Sequence, residues 1–238
     1  MRFIIPIQQP IPCRPLPACF MGKVIAIDGP SGAGKSTIAR SLAGRLGFGY
    51  LDTGAIYRAI ALFFLEQGIT PESEDVLLLK ALGSSGIRFS GGKVFLGGRD
   101  VSGEIRTPEV GHYSSVFSAR KVVRDFLLTV QREAAAGQDV VVEGRDTTTV
   151  VFPGAWKKFY MDASPEERTR RRYLQLKEMG LAVAEGDAAR DVAGRDERDR
   201  NRGIAPLVKA EDAIIIDTTN KNTDEVLDKI IEIVRSDP

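Results

Sequence analysis

Residues 29 to 37 read GPSGAGKST, an uninterrupted match to G-x-x-x-x-G-K-[ST], and no other stretch restricts the fold so tightly. Glycines in such a loop let successive backbone N–H groups curl around an anion. The loop works only where a strand delivers it and a helix leaves it, because the helix N-terminus adds the positive end of its dipole. The flanks agree: Val24–Asp28 is a short apolar run that predicts a strand, and residues 36 to 46 place Ile38, Leu42 and Leu46 at i, i+4 and i+8, with Gly47 as a stop. Gly29, Pro30, Ser31, Gly32, Ala33, Gly34, Lys35, Ser36 and Thr37 are therefore expected to hold the phosphates of a nucleoside triphosphate. Lys35 brings charge to the β- and γ-phosphates, Ser36 offers its hydroxyl to Mg²⁺, and Thr37 is a second phosphate contact.

The pattern of buried run followed by helix repeats. Gly49–Asp52 reads as extended, and Thr53 is expected to cap a helix with Ile56, Ile60 and Phe63 on one face. Further apolar runs at 140–142, 158–161 and 213–216 alternate with helical stretches at 122–136 and 226–234. The expected fold is α/β: a five-stranded parallel sheet with helices on both faces. Of the 238 residues 43% are apolar and 27% charged, which excludes wholly disordered, collagenous and coiled-coil classes. Lys plus Arg number 33 against 32 Asp plus Glu, so no net field draws the chain to nucleic acid or to a membrane. The longest apolar run, residues 59 to 65, is far short of the ~18 residues that span a bilayer. Both cysteines, Cys13 and Cys19, fall in residues 1 to 20, as do five of the twelve prolines. That segment is expected to be a disordered tail, with Met21 as a possible start, and the whole is expected to be a cytoplasmic monomer.

Two segments interrupt the alternation. Residues 87 to 101, with Gly91-Gly92 between two short apolar runs, predict a β-hairpin insert. Residues 165 to 202 are half charged, 10 basic against 9 acidic, and predict a helical hairpin turning near 180 to 186. Nine of the ten basic residues are Arg, whose planar fork grips phosphate bidentately where Lys does not, so this hairpin is expected to be a lid. Three more strings surround the expected site. LDTGAIYR (51–58) ends the second strand on the ligand-binding side of the sheet, with Arg58 either gripping an acceptor phosphate or simply exposed. VVVEGRDTTTVVFP (140–153) brings Arg145 and Asp146 to the same edge, as a phosphate contact and an acceptor for a base amine, or as a surface pair. GRDERDRNR (194–202) puts Arg195, Asp199 and Arg202 on one helix face, for substrate or for a salt-bridge stripe.

Taken together, and with SGEIRTPEV (102–110) and RDRNRGIAPL (198–207), these strings resemble the bacterial cytidylate kinases of the nucleoside monophosphate kinase branch of P-loop proteins. The resemblance runs from residue 22 to about 235. It implies ATP with Mg²⁺ as donor and CMP or dCMP as acceptor, a monophosphate-binding region over 54–137 and a lid over 165–202 within one domain, 21–238. It implies that Ser115, Arg124 and Asp146 contact cytosine, that Thr53, Arg58, Arg145 and Arg202 hold the acceptor phosphate, and that Arg195 and Asp199 reach the sugar. Lys35, Arg145 and Arg202 become the catalytic set. The chain departs from the family at Thr148, where Gly is usual and would permit positive φ or close backbone approach. A monophosphate is already an anionic nucleophile, so no general base is needed, and His112, the only histidine, is expected at the surface or in packing. A GTPase would show N-K-x-D, whereas Asn220-Lys221-Asn222-Thr223-Asp224 places Asp one residue late.

Overall fold

The computed structural model describes residues 22–236. The expected tail over residues 1 to 20, its two cysteines and Met21 lie outside them. In chain order, β1 (Val24–Asp28) leads into α1 (Lys35–Leu46), then β2 (Gly49–Asp52), α2 (Thr53–Glu66) and α3 (Asp75–Ser84). An excursion follows: β3 (Arg88–Ser90), β4 (Lys93–Leu96) and β5 (Arg99–Asp100), a 3₁₀ turn at Glu104–Arg106, then α4 (Pro108–Phe117). The chain returns through α5 (Lys121–Ala135) and β6 (Val140–Gly144), a π-helical turn at Thr147–Val151, and β7 (Lys157–Asp162). Last come α6 (Pro165–Glu178), α7 (Glu185–Asn201), β8 (Ile214–Asp217) and α8 (Thr223–Ser236).

The main sheet has five strands in the order β2-β6-β1-β7-β8, and every neighbouring pair is parallel. Strand period 2 divides its side chains between two cores. Ile25, Ile27 and Val141 face α1 and α8, whereas Val24, Val140 and Val142 face α2, α4 and α5. Helices on both faces are what buried parallel strands require, and β1 and β6 are buried throughout. Crossing order places β1 at the centre, so the segment leaving its C-terminal end lies between those leaving β6 and β7. This is the edge where open parallel sheets bind ligands.

Several expectations shift in detail. The cap of α2 is Asp52, whose carboxylate accepts from the Ala55 N–H at 2.8 Å, and Thr53 is instead the first helical residue. The buried face of that helix runs Ile56, Ile60, Phe64, with Phe63 only partly covered. Strict i, i+4, i+8 spacing selects Phe64, and the ring meets Phe117 at 4.7 Å between centroids. The hairpin pairs Ser90 with Lys93 around Gly91 and Gly92, both at positive φ, and gains a third strand beyond Gly97-Gly98. Gly47 ends α1 in the left-handed conformation with its N–H on the Ala43 carbonyl. Among the described residues no helix is long and apolar enough to cross a membrane.

Candidate active site

A cavity of about 560 Å³ opens at the C-terminal edge of the sheet. Its walls come from the loop after β1, the start of α2, one face of α4, the loop after β6 and the facing sides of α6 and α7. The glycines of the first loop are held by contact as much as by conformation. A Cβ on Gly29 would stand 1.9 Å from the Met161 carbonyl oxygen of β7, and Gly34 caps α1 at φ 88°. Neither position admits a side chain without moving the sheet or the helix start. Ser31, Gly32, Gly34, Lys35, Ser36 and Thr37 line the cavity; Gly29, Pro30 and Ala33 build the loop from behind.

Lys35 is buried, its Nζ donating to the Pro30 carbonyl at 2.8 Å. Burial, and then the charge of Arg145, lower its pKa to about 7. Beside it the Ser36 hydroxyl donates to Glu143 Oε1 at 2.5 Å, and Tyr50 reaches the same oxygen at 3.3 Å. Glu143 belongs to β6 rather than to the loop after it. Burial, and next the carboxylate of Asp52, raise its pKa. Hydrophobicity of the strand hid this residue in the sequence. Its signal was a carboxylate in an otherwise apolar run whose end must meet the phosphate loop.

The residues expected to hold the acceptor form a chain of charges. Arg124, buried at the base of α5, grips Asp146 Oδ2 and lies outside the cavity lining. Arg202 stands 3.6 Å from the other Asp146 oxygen and 3.9 Å from Asp199, and Arg145 Nε donates to Asp199 at 2.8 Å. Burial raises the Asp146 pKa against the opposing pull of Arg124 and Arg202. Arg58 reaches back to Asp52 at 2.9 Å, and the Thr53 hydroxyl donates to the Glu143 carbonyl at 2.8 Å. Ser115 accepts from Arg198 at 2.9 Å, which joins α4 to α7, and Arg195 pairs with Asp191. Thr53, Arg58, Ser115, Arg145, Asp146, Arg195, Asp199 and Arg202 all line the one cavity.

Among the described residues, the buried side-chain nitrogens with no hydrogen-bond partner are Arg58 Nε and Arg202 Nη2. Both arginines line the one cavity, and Arg202 Nη2 stands 3.6 Å from Asp146 Oδ1. Two further residues went unread in the sequence. Asp196 of α7 accepts from the Ser31 backbone N–H at 3.1 Å and pairs with Arg168, which donates to the Ser31 carbonyl at 3.2 Å. The root of the α6–α7 hairpin is thereby tied to the phosphate loop.

The model of the cytidylate kinase family matches residues 25–236. The chain belongs to that family. The cytidylate kinase of Thermodesulfovibrio yellowstonii is 48% identical over 230 residues, covering 91% of this chain and all of that protein. That of Geobacter sulfurreducens is 49% identical over 217 residues, covering 90% and 93%. Among solved structures, shikimate kinase from Acinetobacter baumannii with bound shikimate shares 17% identity at a TM-score of 0.42, over 90% of this chain and 93% of that one. The phosphate loop and Arg58, Arg145, Arg195 and Arg202 line the same cavity.

His112 is exposed and lies edge-on to the Tyr113 ring at 5.6 Å, apart from the cavity lining. Thr148 has no positive φ, so the conformational freedom of glycine is not required there.

Proposed function

We propose that this cytidylate kinase moves the γ-phosphoryl of ATP to the phosphate of CMP or dCMP. An acceptor oxygen forms the new P–O bond as the bond to the β-phosphate bridging oxygen breaks, releasing ADP. Nothing must be deprotonated, so positioning and charge carry the reaction. Lys35 and the loop N–H groups hold the donor phosphates. Thr53, Arg58, Arg145 and Arg202 hold the acceptor phosphate, with Thr53 releasing its bond to the Glu143 carbonyl as it does so. Asp146 accepts from the cytosine amine beside Arg124 and Ser115, and Arg195 and Asp199 reach the sugar. Lys35, Arg145 and Arg202 are the groups that meet charge on the transferring phosphoryl.

The oxygen pair of Ser36 and Glu143 suits a hard divalent cation, which keeps most of its waters and takes few protein ligands. These two residues would hold Mg²⁺, which when bound neutralises the β- and γ-oxygens.

The observation that carries the acceptor assignment is the pair of orphaned donors, Arg58 Nε and Arg202 Nη2. Their unmet bonds are worth most to a ligand with a phosphate. Titration calorimetry with CMP and with cytidine tests this: CMP should bind at least ~100-fold more tightly, since each charge-assisted bond contributes about 1.5 to 3 kcal/mol. Equal affinities would remove the acceptor phosphate from this wall.

A further inference from the structure

Asp28 closes β1 and stands immediately before Gly29, although the phosphate-loop pattern asks for no carboxylate there. It is wholly buried. Its two oxygens are each taken twice by one threonine. Oδ1 accepts from the Thr147 N–H at 2.9 Å and hydroxyl at 2.7 Å. Oδ2 accepts from the Thr148 N–H at 2.7 Å and hydroxyl at 2.6 Å. A buried carboxylate keeps its place when its lone pairs are filled, and here four donors fill them. Any residue would bring the two N–H groups. Only Ser or Thr brings the hydroxyls.

These threonines follow directly on Arg145 and Asp146, in a π-helical turn that belongs to no strand. Asp28, by contrast, is fixed by its strand, which pairs with β6 on one side and β7 on the other, and α1 braces the loop beyond it. If the link is weakened, the acceptor-side turn is the part free to move. We propose that the Thr147 and Thr148 hydroxyls are positioning groups that, through Asp28, set the distance and angle between the phosphate loop and the Arg145–Asp146 acceptor site. The proposal rests on the acceptor reading given above.

Thr148→Val keeps the branched shape and sets a methyl against the carboxylate. Steady-state kinetics with CMP varied at saturating ATP, and then the reverse, should show KM for CMP raised about tenfold and kcat lowered, with KM for ATP within about twofold of wild type. Thr148→Ser should restore both constants. If Thr148→Val does not fold, Thr148→Ala removes the hydroxyl without setting a methyl in its place and carries the same readout. A lower Tm with both KM values unchanged, or equal rises in both, would overturn the positioning role and leave a structural one. Failure of the wild type to phosphorylate CMP is a separate result that removes the acceptor reading and this proposal together.

Discussion

Burial and a neighbouring guanidinium both act against the charge of Lys35. With its pKa lowered to about 7 by burial and then by Arg145, the side chain is mostly neutral at pH 8 in the free protein. A triphosphate against it favours the ammonium, so ATP binding at pH 8 should take up a proton, readable as a calorimetric enthalpy that varies with the buffer's ionisation enthalpy. Buffer-independent heats would contradict this. The sign for folding follows from the same depression. Between about pH 7 and 10.5 the unfolded chain binds the extra proton, so the penalty from this group fades as pH rises through that window. Lys35→Ala should lower turnover by about 10³-fold or more with an unchanged circular dichroism spectrum. Asp146→Asn should cost CMP about 10- to 150-fold in kcat/KM, because a charge-assisted bond is lost, and cost UMP less, because the amide can rotate to donate to its carbonyl. Equal losses would make Asp146 an anchor for Arg124 and Arg202, and the base reader would then be sought at Ser115.

At the scale of elements, the α6–α7 hairpin, expected to be a lid, is also braced by its own ion pairs. Its arginines were read as phosphate ligands, yet several are already engaged: Arg172 and Arg195 with Asp191, Arg170 and Arg171 with Glu167, Arg168 with Asp196. Of these, the Arg168–Asp196 pair is buried and holds the hairpin root to Ser31. Asp196→Ala should therefore destabilise by about 3 to 5 kcal/mol in urea melts, because Arg168 is left charged and unpaired. Arg168→Met with Asp196→Leu should recover most of that loss while leaving the loop less well placed, with KM for ATP raised. No loss in the single variant would show the root to be held elsewhere. The charged helical hairpin was legible, but its internal pairing was not: arginine composition is the same whether the forks meet phosphate or carboxylate.

Across the whole molecule, what the sequence made legible is what local periodicity records. Four apolar runs and the extended segment 49–52 became five parallel strands, and Gly47 and Gly91-Gly92 turned the chain where their conformations allow it. Helix α3 escaped notice because Val76, Leu77 and Leu79 remain exposed beside buried Leu78 and Leu82, which erases the helical stripe. Glu143, Asp28 and Asp196 escaped because their partners lie 107, 119 or 120, and 165 residues away, distances over which no spacing rule operates. The site is assembled from such links, so its outline came from motif and resemblance and its wiring from the fold. The test that reaches furthest takes the intact protein with ATP and Mg²⁺ and measures ADP release against CMP, dCMP, UMP, AMP, GMP and shikimate in turn. CMP or dCMP should give the highest kcat/KM; faster turnover of any acceptor without cytosine would contradict the assignment of Asp146, Arg58 and Arg202 to a cytidine monophosphate.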